Sequence, residues 1–291
     1  MFTFLTEVFC LIDDFCKAFL DQKQNFLPTS VKRNRKSRMT LSEIMTILVL
    51  FHRSDYKTFK HFYLQSILID YKKEFPRAVK YSRFIQMMPC AMIPLLVFFQ
   101  GIKGQETGTY FVDSTPIKVC HIKREKQHRV FKGFATKSKS TMGWFFGYKV
   151  HLVINNKGEI MSLKITGAKT DDRNPVAELV KKLKGWLFGD KGYISQTLTE
   201  RLKKQGIELI TKVKKNMKKK ILQPAQKWFL NKRGIVESVI DQLKNICQIE
   251  HTRHRSPINA LVNLISGFVA YQLKPRKPSI CKALGVNMFV A

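Results

Sequence analysis

The texture of this chain changes between Gly101 and Gly108, and that change limits the fold more than any single motif. Before it, apolar residues recur at helical spacing, as in Phe4, Val8, Phe9, Leu11, Ile12, Phe15 and Phe19. Thr40-Leu41-Ser42-Glu43 reads as a capping box ahead of an apolar helix over residues 44–51. The Thr hydroxyl can accept a free backbone N–H while Glu43 reaches back to another. Further helices are expected over 58–69 and from about Tyr81. Beyond the change the runs become strand-like. The spacing predicts a strand over 110–119, then a hairpin of 143–154 and 159–166 around Asn155-Asn156-Lys157-Gly158, whose Asn and Gly tolerate positive φ. Asp171 to Pro175 opens a helix through about Leu183, followed by a strand (186–189), a helix (195–205) and a strand (207–213). An amphipathic helix around Glu237 and a last helix over 261–273 close the order. The expectation is an all-α N-terminal domain (1–105), an α/β domain with a mixed sheet (106–275) and a tail (276–291).

Charge bounds the partner. Lys and Arg total 52 against 21 Asp and Glu, a formal net charge of +31, while 44% hydrophobic residues are enough for a folded core. An excess of this size favours polyanions and makes their binding salt-dependent. Local concentrations lie at 32–38, 212–220 and 253–255, so nucleic acid is the expected partner. The six cysteines form no CxxC pair and read as reduced thiols; Cys120, His121 and His128 lack the second ligand pair of a zinc site. The apolar N-terminus lacks a basic leader and is interrupted by Glu7, Asp13 and Asp14, against a signal peptide. The apolar stretch 87–99 is short for a bilayer and carries Pro89 and Pro94. A soluble, cytoplasmic protein with no membrane partner is expected.

Against this basic background three acids need a reason. Asp113 ends the run Tyr110-Phe111-Val112-Asp113, and Asp190 ends Trp186-Leu187-Phe188-Gly189-Asp190. Glu237 sits at the edge of the apolar face of its helix if residues 233–247 are all wound at 100° per residue; Arg233, Asp241 and Lys244 then share its arc. Carboxylates from two strand ends and a helix suit two divalent ions about 3.5–4 Å apart, the arrangement of metal-assisted phosphodiester chemistry. Hard oxygen ligands favour Mg²⁺ or Mn²⁺. On the helix alone, a surface ion pair between Arg233 and Glu237 is the simpler account.

Order and spacing add a resemblance. Asp190-Lys191-Gly192-Tyr193 resembles the Asp-x-Gly-Tyr element of bacterial insertion-sequence DDE transposases, and Arg233-(3)-Glu237-(6)-Lys244 resembles their R(3)E(6)K signature. Asp113-Ser114-Thr115-Pro116, Phe131-Lys132-Gly133, residues 143–152 and Arg253-His254-Arg255-Ser256 look most like the insertion-sequence group numbered nine-eighty-two. The resemblance covers nearly the whole chain and is strongest over 110–273. It implies an RNase H-like catalytic domain in which Asp113, Asp190 and Glu237 bind Mg²⁺ or Mn²⁺. It further implies cleavage at the element ends and strand transfer into target DNA. Arg233 and Lys244 would contact double-stranded DNA near the cut, and the helical N-terminal domain would recognise terminal inverted repeats. A homodimer on DNA and a nucleoid-associated location complete the expectation. The family often has Tyr where Leu230 stands.

Other residues rank behind these. Lys149 and His151 share a strand face that meets either a phosphate or solvent; Lys191, Arg253 and Arg255 are further candidate DNA contacts. Asp171 and Asp172 could supply a carboxylate but read first as helix caps beside Asn174-Pro175, Asp241 as a substitute for Glu237, and the lysines of 214–220 as a phosphate-tracking run. No Gly-rich phosphate loop suggests ATP. The alternatives are an RNase H-fold nuclease or resolvase without strand transfer, and an inactive DNA-binding relic of a transposase.

Overall fold

A computed structural model describes residues 2–26, 37–140, 143–213, 216–217, 221–250 and 254–280. Residues 32–36 of the first basic run, Arg253 and most of 214–220 lie outside the described residues. The chain divides into two compact units. Unit 1 comprises 1–102, 243–249 and 254–273; unit 2 comprises 103–242, 250–253 and 274–291.

Unit 1 is helical in its described residues. It holds α1 (Phe2–Phe26), α2 (Leu41–Phe51), α3 (Phe59–Phe62), which runs into a π-helical stretch (Tyr63–Asp70), α4 (Tyr81–Met87) and α5 (Met92–Gly101). The capping box at Thr40 and Glu43 forms as expected, and every residue from Ile44 to Phe51 is buried. Leu5, Val8, Ile12 and Cys16 form the buried stripe of α1, whereas Leu11, expected on that face, is 53% exposed. Phe51, Phe59, Phe62, Tyr63 and Phe84 make one aromatic cluster. Residues Tyr81–Gly101 are long and apolar enough to cross a membrane by length and composition alone. Within unit 1 a 3₁₀ turn (Met88–Ala91) interrupts them, and Phe84, Met88, Leu95, Phe98 and Phe99 are buried.

Unit 2 is built on a six-stranded sheet: β1 (Thr109–Cys120), β2 (Thr136–Ser140), β3 (Gly143–Asn155), β4 (Ile160–Gly167), β5 (Gly185–Gly189) and β6 (Ile207–Thr211). The strand order is β2-β3-β1-β5-β6, with β4 also paired to β3. β1, β2, β3 and β4 pair antiparallel, and β1, β5 and β6 pair parallel, so the expected mixed sheet is present. The β3–β4 hairpin turns at Gly158, whose φ of 71° favours glycine. Between the later strands run α6 (Val176–Leu179) and α7 (Gln196–Lys204); α8 (Pro224–Asn231) and α9 (Ile235–Asp241) follow β6. The last helix, α10 (Pro257–Gln272), belongs to unit 1 and is buried along most of its length.

Two expectations change here. The helix expected from about 175 to 183 closes after one turn, Val176–Leu179. The helix carrying Glu237 starts at Ile235, leaving Arg233 in the preceding turn, and widens into a π-helical segment at Gln242–Ile246. A π turn advances fewer degrees per residue than an α turn, so the arc calculated for Lys244 does not apply.

Alternation along β1 sets up both faces of the sheet. Tyr110 and Val112 join Val153, Leu187, Leu209 and the apolar residues of α6 and α7 in one core. Phe111 stacks on Phe188 at 5.4 Å, and Phe229 of α8 lies 5.9 Å beyond. Close packing reaches the end of β5, where a Cβ on Gly189 would sit 3.1 Å from the Tyr193 ring and 3.3 Å from Val112 Cγ1. A Cβ on Gly192 meets nothing within 4 Å. Gly189→Val should therefore destabilise the protein by about 1–3 kcal/mol, read as a lower urea midpoint. Gly192→Ala should stay within about 0.5 kcal/mol of the parent; equal losses from the two would contradict this packing.

Candidate active site

Strand register brings the first two acids together. β1 and β5 run parallel with Phe111 opposite Phe188, so two residues further along each chain stand Asp113 and Asp190. Neighbouring strands lie about 4.8 Å apart, and the pairing of β1 with β5 ends at Phe111 and Phe188, short of both acids. β1 continues past this point while β5 stops, freeing Asp190 to sit at the entrance to a 3₁₀ turn (Lys191–Tyr193). α9 packs against β1 and carries Glu237 in its first turn.

One cation links the trio. Arg233 Nη2 lies 3.3 Å from Asp190 Oδ1, and its Nη1 lies 3.9 Å from Glu237 Oε1. The pair from Arg233 to Glu237 is the one a simple helix-surface account expects; its extension to Asp190 is not available from sequence spacing. Burial pushes Asp113 up to about 6. Glu237 and Asp172 raise it further, while the Ser114 backbone N–H, donating at 2.8 Å, and Arg233 lower it.

A second cluster adjoins the first. Lys149 Nζ donates to Asp172 Oδ1 at 3.0 Å and to the Thr170 carbonyl at 3.1 Å. His151 is wholly buried opposite Ser114; its Nε2 lies 2.8 Å from Thr166 Oγ1 and its Nδ1 3.8 Å from Asp172 Oδ1. Burial pushes His151 down to about 4, so the ring is neutral near pH 7. Neither side chain is free for a phosphate: Lys149 is engaged by Asp172, and no surface of His151 reaches solvent. The expected helix cap at Asp172 is likewise replaced, because this carboxylate pairs across to β3. Asp171 turns back on Arg173, whose side-chain hydrogen bonds hold it down to about 2. Tyr193, buried under Gly189, has its phenol pushed well up by burial, with Asp113, Asp172 and Asp190 adding to the effect. Asp172, weighed from the sequence as a carboxylate donor behind a helix cap, and Tyr193, for which the Asp-x-Gly-Tyr element was the signal, both neighbour Asp113.

The remaining candidates divide between the units. Lys191 is exposed next to Asp190. Lys244 and the exposed Arg255 belong to unit 1. Leu230, where the resembled family often has Tyr, is buried in α8, so this position supplies packing rather than a hydroxyl.

The donor set was tested against a divalent metal. Three carboxylates offer only hard oxygen, the chemistry Mg²⁺ or Mn²⁺ takes. Asp113 is desolvated among like charges, an arrangement that an added cation would relieve. In chemical kind the residues fit. Among the described residues, however, no three His, Cys, Asp or Glu side chains are gathered closely enough to hold an ion. Arg233 occupies the position between Asp190 and Glu237 and acts as their counter-ion.

Comparison with known proteins settles the family. Residues 103–257, more than half of the chain, match the family described as Transposase DDE domain. The chain belongs to the DDE transposases. This is a family of DNA-cutting and DNA-joining enzymes that use divalent metal ions. Among solved structures the transposase is similar to a piggyBac transposase synaptic complex with hairpin DNA, at 11% identity and a TM-score of 0.48. The match covers 91% of this chain and 71% of that one. No curated protein matches the sequence significantly.

The titration of Asp113 gives a test in metal-free buffer. Below about pH 4 its carboxyl is protonated in folded and unfolded chains alike and carries no penalty. Above about pH 6 it is ionised in both, and the folded state bears the desolvation cost. Asp113→Asn should therefore be more stable than the parent above pH 6, by on the order of 2 kcal/mol, with the gap closing towards pH 4. Urea unfolding of both proteins from pH 4 to 8 measures it; a gap that does not change with pH would contradict the burial of this carboxylate.

Proposed function

We propose that this transposase moves an insertion sequence of the group numbered nine-eighty-two, cutting at the element ends and joining the freed 3′-OH groups to target DNA. Asp113, Asp190 and Glu237 hold Mg²⁺ or Mn²⁺ in an RNase H-like catalytic domain. The observation that carries the reading is the bridge Arg233 makes between Asp190 and Glu237, with the charges of Arg233 and Glu237 also acting on Asp113 within β1. A pair of such ions, when bound, activates the attacking oxygen and stabilises the leaving one.

The chain's own residues supply the rest. Asp113 must give up its proton to act as a ligand, so its raised pKa makes metal loading weaken as pH falls through about 6. Arg233 releases the two carboxylates it bridges and turns its guanidinium towards the DNA backbone, a planar fork suited to a phosphate. Lys191, exposed beside Asp190, adds a second cation for the same strand. Tyr193 packs under Gly189 and fixes the turn that aims Asp190. The helical N-terminal domain of residues 1–105 recognises terminal inverted repeats, and the protein works as a homodimer on DNA in the nucleoid. This assignment is supported by the net charge of +31 and by the family's DNA chemistry.

The test is an end-joining assay with pre-cleaved element ends, plasmid target and Mg²⁺. The parent should both nick and join. Asp113→Asn, Asp190→Asn and Glu237→Gln should each lose at least about 100-fold in rate, the scale of losing a group that stabilises transition-state charge, while retaining duplex binding. Nicking without joining would identify a nuclease or resolvase, and metal-independent binding with neither activity would identify a relic.

A further inference from the structure

The segment between the two long strands carries a surface that the catalytic reading does not use. From Lys118 to Ser140 there are eight Lys or Arg residues and one acid, Glu125. β2 is an edge strand in which Lys137 and Lys139 point outward, two residues and roughly 6.8 Å apart. Lys139 stands directly opposite Trp144 in the ladder, and Lys137 Nζ, which also pairs with Glu125 Oε2 at 3.2 Å, lies 5.4 Å from the Trp144 ring centroid, over its face. The indole is 57% exposed. Phe134, two residues before β2, is 64% exposed. Both are wide aromatic rings, and their neighbours Phe131 and Phe145 are buried.

Lysines on an edge strand are explained by the need to block edge-to-edge pairing. That account leaves the exposed rings unexplained, since polar side chains would block the edge as well. An exposed indole between lysines is the arrangement that binds an unpaired nucleic-acid strand: a base stacks on the ring and the cations meet its phosphates. Duplex DNA hides its base faces in its own stack, so an exposed ring gains little from it.

We propose that the β2–β3 edge, through Trp144 with Lys137, Lys139 and Phe134, is a docking surface for an unpaired DNA strand. The proposal rests on the DNA-acting role above only for the identity of the polymer. It assigns no part of the cutting or joining to these residues. A protein partner is the competing occupant, and it is disfavoured by the excess of eight cations over one anion along residues 118–140.

The experiment measures binding of a fluorescein-labelled 15-mer of dT and of a 15-base-pair duplex to the full chain in EDTA, so that no cleavage intervenes. Trp144→Ala should weaken binding of the single strand at least about fivefold, the lower end of a lost base–aromatic stack, and duplex binding less than twofold. Trp144→Phe should recover most of the loss, and Lys137→Gln with Lys139→Gln should lower the salt dependence of strand binding. Because Trp144 is exposed, circular dichroism of each variant should match the parent. Equal weakening of both DNAs, or of neither, overturns the proposal while leaving the catalytic reading intact. A change of sedimentation mass in Trp144→Ala with strand binding unchanged overturns it in favour of a protein interface. Failure of the parent to bind either DNA overturns this inference and the DNA role together.

Discussion

Arg233 is the interaction on which the candidate site depends. It reaches Asp190 with one terminal nitrogen and Glu237 with the other, and its charge also lowers the pKa of the half-buried Asp113. Asp190 and Glu237 are largely exposed, so water already screens their charges, and Arg233 adds a counter-charge between them. Each of these ion pairs is partly solvent-exposed and contributes at most about 1 kcal/mol. Its importance is therefore positional: one guanidinium ties the turn after β5 to the first turn of α9.

The geometry beneath this is set by close packing. Phe111 and Phe188 fix the register of β1 on β5, and the bare Cα of Gly189 lets Tyr193 fold under the strand end. The same alternation that sends Phe111 into its core places Asp113, two residues on, on that face. The neighbouring position, Ser114, lies opposite His151, whose neutral ring fills space beside the Lys149–Asp172 pair. Asp113 and the core residues thus share one stretch of backbone, and this is why Asp113 is desolvated.

Much of this was legible in the residues. The Thr40–Glu43 box, the hairpin turn at Gly158 and the acid that follows β5, Asp190, were readable because each follows from a local rule, whereas Asp113, expected at a strand end, lies inside β1. Non-local effects were not. β2 alternates Thr, Lys, Ser, Lys and Ser, with no apolar face to announce a strand; its ladder comes from pairing with residues 143–147 of β3. α8 was missed although Pro224 at its start and the Trp228-Phe229-Leu230 run are fair helix signals. Lys149 and His151 could be read as facing either a phosphate or solvent because nothing in the sequence places Asp172 beside them. The arc drawn for Lys244 failed because it assumed one uninterrupted α-helix, whereas the turn widens after Asp241.

The central claim is that Asp113, Asp190 and Glu237 form one divalent-cation site once Arg233 lets go. Manganese binding to the full chain, followed by electron paramagnetic resonance without DNA, tests it most directly. The account predicts saturable Mn²⁺ binding that Asp113→Asn, Asp190→Asn and Glu237→Gln each weaken about tenfold or more, the scale set by one lost charged ligand, and that Mg²⁺ displaces. Equal Mn²⁺ affinity in the parent and all three variants would contradict it.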